Sequence, residues 1–216
     1  MRIERKNMKN KAVFLDRDGT INVDRDYIYK ISDFEFIFGV PEALKLLQNA
    51  GYKLIIITNQ SGIARGYYTE HDYEILNNWM INTLRDTFGV EILASYYCPH
   101  LPLSSPDENV EEGMEKYRKN CNCRKPKLGL FERAIQDFDI DIGHSYAIGD
   151  KLRDLAICES QDSSMLYKGV KGFLINTRES EEVIDSVKRG EHKNIAYEKD
   201  LLSAAGRIVT PQHIAH

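Results

Sequence analysis

Short apolar runs alternate with stretches of helical spacing along this chain. Ala12–Leu15 (AVFL) runs straight into an aspartate, as expected of a buried parallel strand. Pro41–Ala50 has helical spacing, opens with a proline suited to a first turn and stops at Gly51. Leu54–Thr58 (LIIIT) predicts a second buried strand. Thr69 followed by Asp72 predicts a helix start, and the amphipathic spacing continues through Phe88 until Gly89 ends it. Leu93–Tyr97 predicts a third, weaker strand, Leu128–Phe138 a helix, Ser145–Ile148 (SYAI) a strand stopping at Gly149-Asp150, and Gly172–Asn176 (GFLIN) another strand. A further strand and helix are expected between Asn194 and Val209.

Repeated strand–helix units predict an α/β fold with a mainly parallel sheet covered by helices on both faces. Sites in such folds lie at the carboxyl ends of the strands, where Asp16, Thr58 and Asp150 would converge. The segment from His100 to Asn120 is polar and without predicted structure, long enough that it should be functional or pinned. The chain is expected to form one domain over residues 1–216, with residues 1–11 a disordered leader. Trp79 and the tyrosines at helical spacing are expected in the core, and the acidic run 108–115 on a solvated face.

Composition narrows the partners. A net charge of −4 and a pI near 5.9 argue against non-specific nucleic-acid binding, which needs basic surface. Affinity for a phosphorylated ligand must then come from a local site. The first eleven residues lack the apolar core of a secretory signal, and no stretch is long and apolar enough to cross a bilayer, so a cytoplasmic protein is expected.

Asp16-Arg17-Asp18-Gly19-Thr20 places two carboxylates two residues apart where a strand ends and a glycine turns the chain. Neighbouring carboxylates are costly unless a cation lies between them or one stays protonated. Magnesium, a hard ion that prefers oxygen ligands and substrate phosphate, would resolve that cost. One carboxylate could then attack phosphorus while the other, shifted upward in pKa, handles the leaving-group proton. Phosphoryl transfer mainly needs positioning and charge neutralisation. Thr58-Asn59-Gln60-Ser61-Gly62 offers hydroxyls and amides at a second strand end, and Arg124-Lys125 offers fixed positive charge. Gly149-Asp150-Lys151 and Asp154 add acids at another strand end, with Asp150 the natural second metal ligand.

Cys98-Pro99-His100 and Cys121-Asn122-Cys123 supply three thiols and an imidazole in two close pairs. Four such ligands suit a closed, structural zinc site that would pin the loop over residues 98–125 and hold Arg124 and Lys125 in place. Cys158 is expected to be a small buried hydrophobe, and His71, His144, His192, His213 and His216 to be surface or capping residues.

The order DxDGT, a strand ending in Thr-Asn-Gln, Lys-Pro, then GDxxxD resembles the haloacid dehalogenase superfamily over about residues 12–160. The resemblance implies a three-layer α/β/α Rossmannoid fold, a phosphorylated Asp16, Asp18 as acid and then base, and Thr58 and Lys125 holding the phosphoryl group. It also implies magnesium on Asp16, the backbone carbonyl of Asp18, and Asp150. FLDRDGTINVD, FEFIFGVPEAL, TNQSGIARGYYTE, YYCPH, CNCRKP and SYAIGDKLRD are similar to the D-glycero-D-manno-heptose 1,7-bisphosphate 7-phosphatases of nucleotide-heptose and lipopolysaccharide biosynthesis.

That family implies Asp24, Arg25, Asp26 and Tyr27 on the sugar side. It further implies Thr58, Asn59, Gln60, Ser61, Arg124, Lys125 and Lys151 against substrate, Arg124 suiting the distal phosphate. The chain departs from the family in the 20 residues between His100 and Cys121, in Arg25-Asp26, in Leu128, and in the stretch after Asp154. No large cap domain is expected between the motifs, and a monomer is the default. Alternatives are a histidinol-phosphate phosphatase, a phosphatase of nucleic-acid 3′ ends, a phosphomutase, or a non-catalytic zinc-stabilised binding module.

Overall fold

The computed structural model describes residues 10–105, 113–159 and 169–210. Expectations for residues 1–9, for the acidic run over 108–112, for the altered stretch over 160–168, and for His213 and His216 lie outside the described residues. Six parallel strands form one sheet: β1 (Ala12–Leu15), β2 (Lys53–Asn59), β3 (Ile92–Cys98), β4 (Tyr146–Gly149), β5 (Lys171–Leu174) and β6 (Ile195–Tyr197), in the order β3-β2-β1-β4-β5-β6. The order reverses at β1, which pairs with β2 on one side and β4 on the other. A crevice opens at such a reversal, beyond the carboxyl ends of the strands.

Alternate residues of each strand feed opposite layers. Phe14, Ile55, Ile57, Ala147 and Leu174 pack beneath α3 (Gly129–Phe138) and α4 (Glu181–Lys188). Val13, Leu15, Leu54, Ile56, Ile148 and Phe173 pack beneath α1 (Val40–Asn49), α2 (Glu70–Phe88) and α5 (Leu201–Val209). All four side chains of β1 are buried, and each large one contributes roughly 1.5–3 kcal/mol by leaving water. The strand that carries the first aspartate is therefore the best-anchored element of the fold.

Local signals set the element ends. Thr69 and Asp72 form a reciprocal capping box at the start of α2, worth about 1 kcal/mol, and Gly89 closes that helix in the left-handed region (φ 64°). β3 is longer than expected, seven residues, because its backbone pairs with β2 from Leu54 to Asn59. Helix α4 gave no clear sequence signal; Ser180 caps it, but Val187 is its one buried side chain. Asn10 and Lys11, expected in the leader, are held against the fold: Asn10 bridges to Ile140 and donates to the Phe138 carbonyl (2.8 Å), and the Lys11 ammonium lies over the Tyr52 ring.

Among the described residues no separate cap is inserted between β1 and α1 or between β2 and α3. The described part of the long loop after β3 carries one 3-10 turn, Glu115–Tyr117. Glu70, at the start of α2, accepts from Tyr97 of β3 (2.9 Å) and from Tyr117 of the loop, tying the loop to the sheet. Trp79 packs against the core through Phe34 and Phe36. No helix among the described residues is long and apolar enough to cross a membrane.

Candidate active site

Asp16 follows directly on β1, and Asp150 follows on the neighbouring β4, so the sheet itself brings the two carboxylates together. Asp154 joins them from the 3-10 helix Leu152–Cys158, and the ligand oxygens of all three lie within 4.8 Å of one another. Lys125 reaches this cluster from the loop before α3. Its Nζ donates to Asp16 Oδ1 (2.6 Å) and the Ile57 carbonyl (2.7 Å), and it lies 2.8 Å from Asp154 Oδ1. Burial opposes the lysine charge, but Asp154 and Asp16 outweigh it and raise the ammonium pKa.

One cation does not neutralise three buried acids. Burial, with Asp154 and Asp18 adding and Lys125 opposing, lifts Asp16 to about 6. Burial and the charges of Asp16 and Asp154 lift Asp150 to about 8. Oδ1 of Asp150 is buried without a hydrogen-bond partner. A second cation between Asp16 and Asp150 would answer both facts, and an all-oxygen donor set is what magnesium takes. The approach of Asp150 depends on Gly19 (φ +85°), since a Cβ there would lie 2.5 Å from Asp150 Oδ2.

Asp18 behaves differently from the sequence expectation. The sequence places the upward pKa shift on Asp18; in the structure its carboxyl is held below the usual range despite its burial. The reason is Arg17, fully buried beside it, which donates from Nε and Nη2 to Asp18 Oδ1 (3.1 and 2.8 Å) and from Nη2 to Oδ2 (2.9 Å). Asn22 (3.0 Å) and Gln60 (2.9 Å) donate to it as well. Gln60 also donates to Thr58 Oγ1 (2.9 Å) and accepts from Tyr68 (2.7 Å), so the two strand ends share one hydrogen-bonded network.

A cavity of about 250 Å³ opens beside this network, lined by Asp18, Asp24, Asp26, Tyr27, Asn59, Gln60, Ser61 and Arg124, with Lys151 among its cations. Arg25 is not in its wall: it turns outward to Glu35 and the Asp33 carbonyl, where solvent-facing partners satisfy it at less cost than the cavity would. Asn59 also clasps the backbone of Lys125, accepting from its N–H (3.1 Å) and donating to its carbonyl (3.2 Å). Lys151 Nζ lies 3.5 Å from Asp150 and 3.7 Å from Asp24. Arg65, Tyr68 and Arg153 line the cavity too, although sequence reasoning passed over them. Arg65 and Tyr68 belong to the stretch that follows Thr58; Arg153 had no signal beyond its place between Asp150 and Asp154.

The Cys98, His100, Cys121 and Cys123 ligand atoms all lie within 4.8 Å of one another. Cys98 and Cys121 sulfurs are 3.7 Å apart, and His100 Nδ1 is 3.1 Å from Cys123 Sγ. Three thiols and one imidazole at this spacing fit a tetrahedral zinc ion, and burial pushes the Cys98 thiol up, so a cation is needed to hold it as thiolate. Arg124 donates to the His100 carbonyl (3.2 Å), so the cluster and the residue next to Lys125 are directly connected.

A parallel sheet with an acid cluster at its reversal point, clamped by a buried lysine, defines a phosphatase of the haloacid dehalogenase type. The polynucleotide kinase 3 phosphatase family matches residues 11–164. A D-glycero-β-D-manno-heptose-1,7-bisphosphate 7-phosphatase of Haemophilus ducreyi is 50% identical over 71% of this chain and 79% of its own. The protein of that name from Escherichia coli K12 is 42% identical over 82% of this chain and 87% of its own. The crystal structure of D,D-heptose 1,7-bisphosphate phosphatase from B. bronchiseptica, complexed with magnesium and phosphate, superposes with a TM-score of 0.69. It is 27% identical and covers 92% of this chain and 98% of its own. The chain belongs to the polynucleotide kinase 3 phosphatase family and, with these relatives, to the D-glycero-β-D-manno-heptose-1,7-bisphosphate 7-phosphatases.

Proposed function

We propose that this chain removes the C7 phosphate of D-glycero-β-D-manno-heptose 1,7-bisphosphate by way of a phosphorylated Asp16. The observation that carries the chemistry is the contact of Lys125 with Asp16, beside an Asp150 oxygen that is buried and unpartnered. The relatives named for the heptose bisphosphate supply the substrate. Asp16, Asp150 and the Asp18 backbone carbonyl would hold magnesium, which when bound offsets negative charge on the carboxylates and the phosphoryl oxygens.

Lys125 fixes one oxygen of Asp16 and leaves the other for attack on phosphorus. Thr58 and Lys125 hold the transferring group. Asp18 hands its proton to the leaving sugar oxygen and then takes one from water, which cleaves the aspartyl phosphate. The pair with Arg17 favours the carboxylate of Asp18, the form required in the second half. Asp24, Asp26, Tyr27, Asn59, Gln60, Ser61, Arg124 and Lys151 line the sugar side. The protein works in the cytoplasm as a single-domain monomer; its cysteines form no disulfide, and the paired ones gather as metal ligands.

Phosphate release with magnesium from the heptose bisphosphate, histidinol phosphate and a 3′-phosphorylated oligonucleotide, measured side by side, tests the reading. Preference for the bisphosphate, abolished in Asp16→Asn, is expected. Preference for either other substrate would keep the chemistry and overturn the sugar assignment.

A further inference from the structure

Three guanidinium groups, those of Arg65, Arg124 and Arg153, line the cavity beside the acid cluster. Arg124 is half-buried. Of the acids in this cavity, Asp18 is engaged by Arg17 and Asp24 by Lys151 and Arg178; Asp26 also lines it. Arg153 forms no ion pair among the described residues, although it projects from a well-held turn. Next to it, Asp154 accepts from the Lys151 N–H (3.0 Å) and faces Lys125 (2.8 Å). Like charges gathered at one cavity wall repel, and a doubly charged anion placed among them removes the repulsion and gives Arg153 a charged partner.

We propose that Arg153 is a specificity-determining residue that completes, with Arg124 and Arg65, a cradle for the second phosphate of the substrate, the one that is not transferred. This rests on the sugar bisphosphate reading of the same site. Arg153 follows Asp150 by three residues, so the turn that holds the acid cluster also reads the far end of the substrate. A misplaced second phosphate would then be sensed next to the transferring one. The planar fork of arginine suits this role better than a lysine point charge.

The test compares kcat/KM for the heptose 1,7-bisphosphate and the heptose 7-phosphate in wild type, Arg153→Gln and Arg153→Lys. The bisphosphate-to-monophosphate ratio should fall roughly tenfold or more in Arg153→Gln, and Arg153→Lys should restore part of it. A ratio that stays at the wild-type value, whether or not both rates fall, would overturn the proposal. A second readout needs no turnover: binding of fructose 1,6-bisphosphate and fructose 6-phosphate to Asp16→Asn, with and without Arg153→Gln. If wild type hydrolyses no heptose phosphate yet this binding ratio falls, the heptose assignment fails and the cradle stands. If hydrolysis is robust and neither ratio moves, the cradle alone fails.

Discussion

The ammonium of Lys125 sits 2.6 Å from the carboxylate of Asp16, with both side chains buried. The same ammonium faces Asp154 at 2.8 Å, so one lysine balances two acids in a place largely screened from solvent. Removing one partner from a buried set of charges typically costs about 3–5 kcal/mol. Lys125→Met should therefore lose roughly that much stability at pH 8, and kcat should fall roughly 10²–10³-fold. Without the lysine the acids hold their protons more tightly, so the stability deficit should shrink at pH 5.5. Thermal unfolding at the two pH values checks this; an equal deficit at both would mean the acids are not charged beside the lysine.

Magnesium should stabilise the protein more as pH rises. In the metal-free protein Asp16 titrates at about 6 and Asp150 at about 8, both raised chiefly by burial above the ordinary 3.8. The folded state therefore keeps protons that the unfolded chain has released. That contribution is fully present below about pH 4 and is lost as pH climbs through 6 and then 8. Magnesium held by the ionised pair would offset the loss. The difference in Tm between magnesium-saturated and chelated protein should grow steadily from pH 5.5 to 8.5, and a constant difference would contradict the arrangement.

The strands that carry the acids could be read from sequence because they are short apolar runs that end abruptly in charge. Asp16, Thr58 and Asp150 needed only the rule that sites lie at the carboxyl ends of parallel strands. What could not be read is set by contacts between distant segments. The depressed pKa of Asp18 depends on Arg17 being buried against it, and nothing in DRDGT tells which way that arginine turns. Arg25 and Arg153 look alike as surface arginines; the loop path turns one out to Glu35 and the turn after β4 turns the other in. Asp154 was visible as an acid, but its bond to Lys125 joins segments 29 residues apart, and only the fold closes it.

The protein should be purified with about one equivalent of zinc, and Cys123→Ser should lose it. The four side chains would pin a loop that Glu70 and a bridge between Leu101 and Arg118 also hold. Arg124 and Lys125 follow Cys123 directly, so loss of the ion should reach the acid cluster. A loss of roughly 3 kcal/mol or more would lower Tm by about 6–12 °C in a chain of this size. Metal analysis with thermal unfolding tests this, and a zinc-free protein of unchanged Tm would remove the structural role.

Gly149 gives a sharper test of how closely the acid cluster is fitted. A Cβ at this position would lie 2.4 Å from the Cβ of Asp154 and 3.0 Å from its Cγ. The obstruction is the root of the side chain, which cannot swing aside, so the turn after β4 must move. Asp154 would then leave both Lys125 and the Lys151 N–H. Gly149→Ala should cost about 1–3 kcal/mol of stability and lower kcat more than tenfold, because the lysine loses its second anchor. Gly143→Ala is the matched control, since its Cβ would meet only Asp141 Oδ1 at an ordinary 3.6 Å. It should leave both stability and kcat near wild type. If the two variants behave alike, close packing of Asp154 against the strand end is not what holds Lys125 on Asp16.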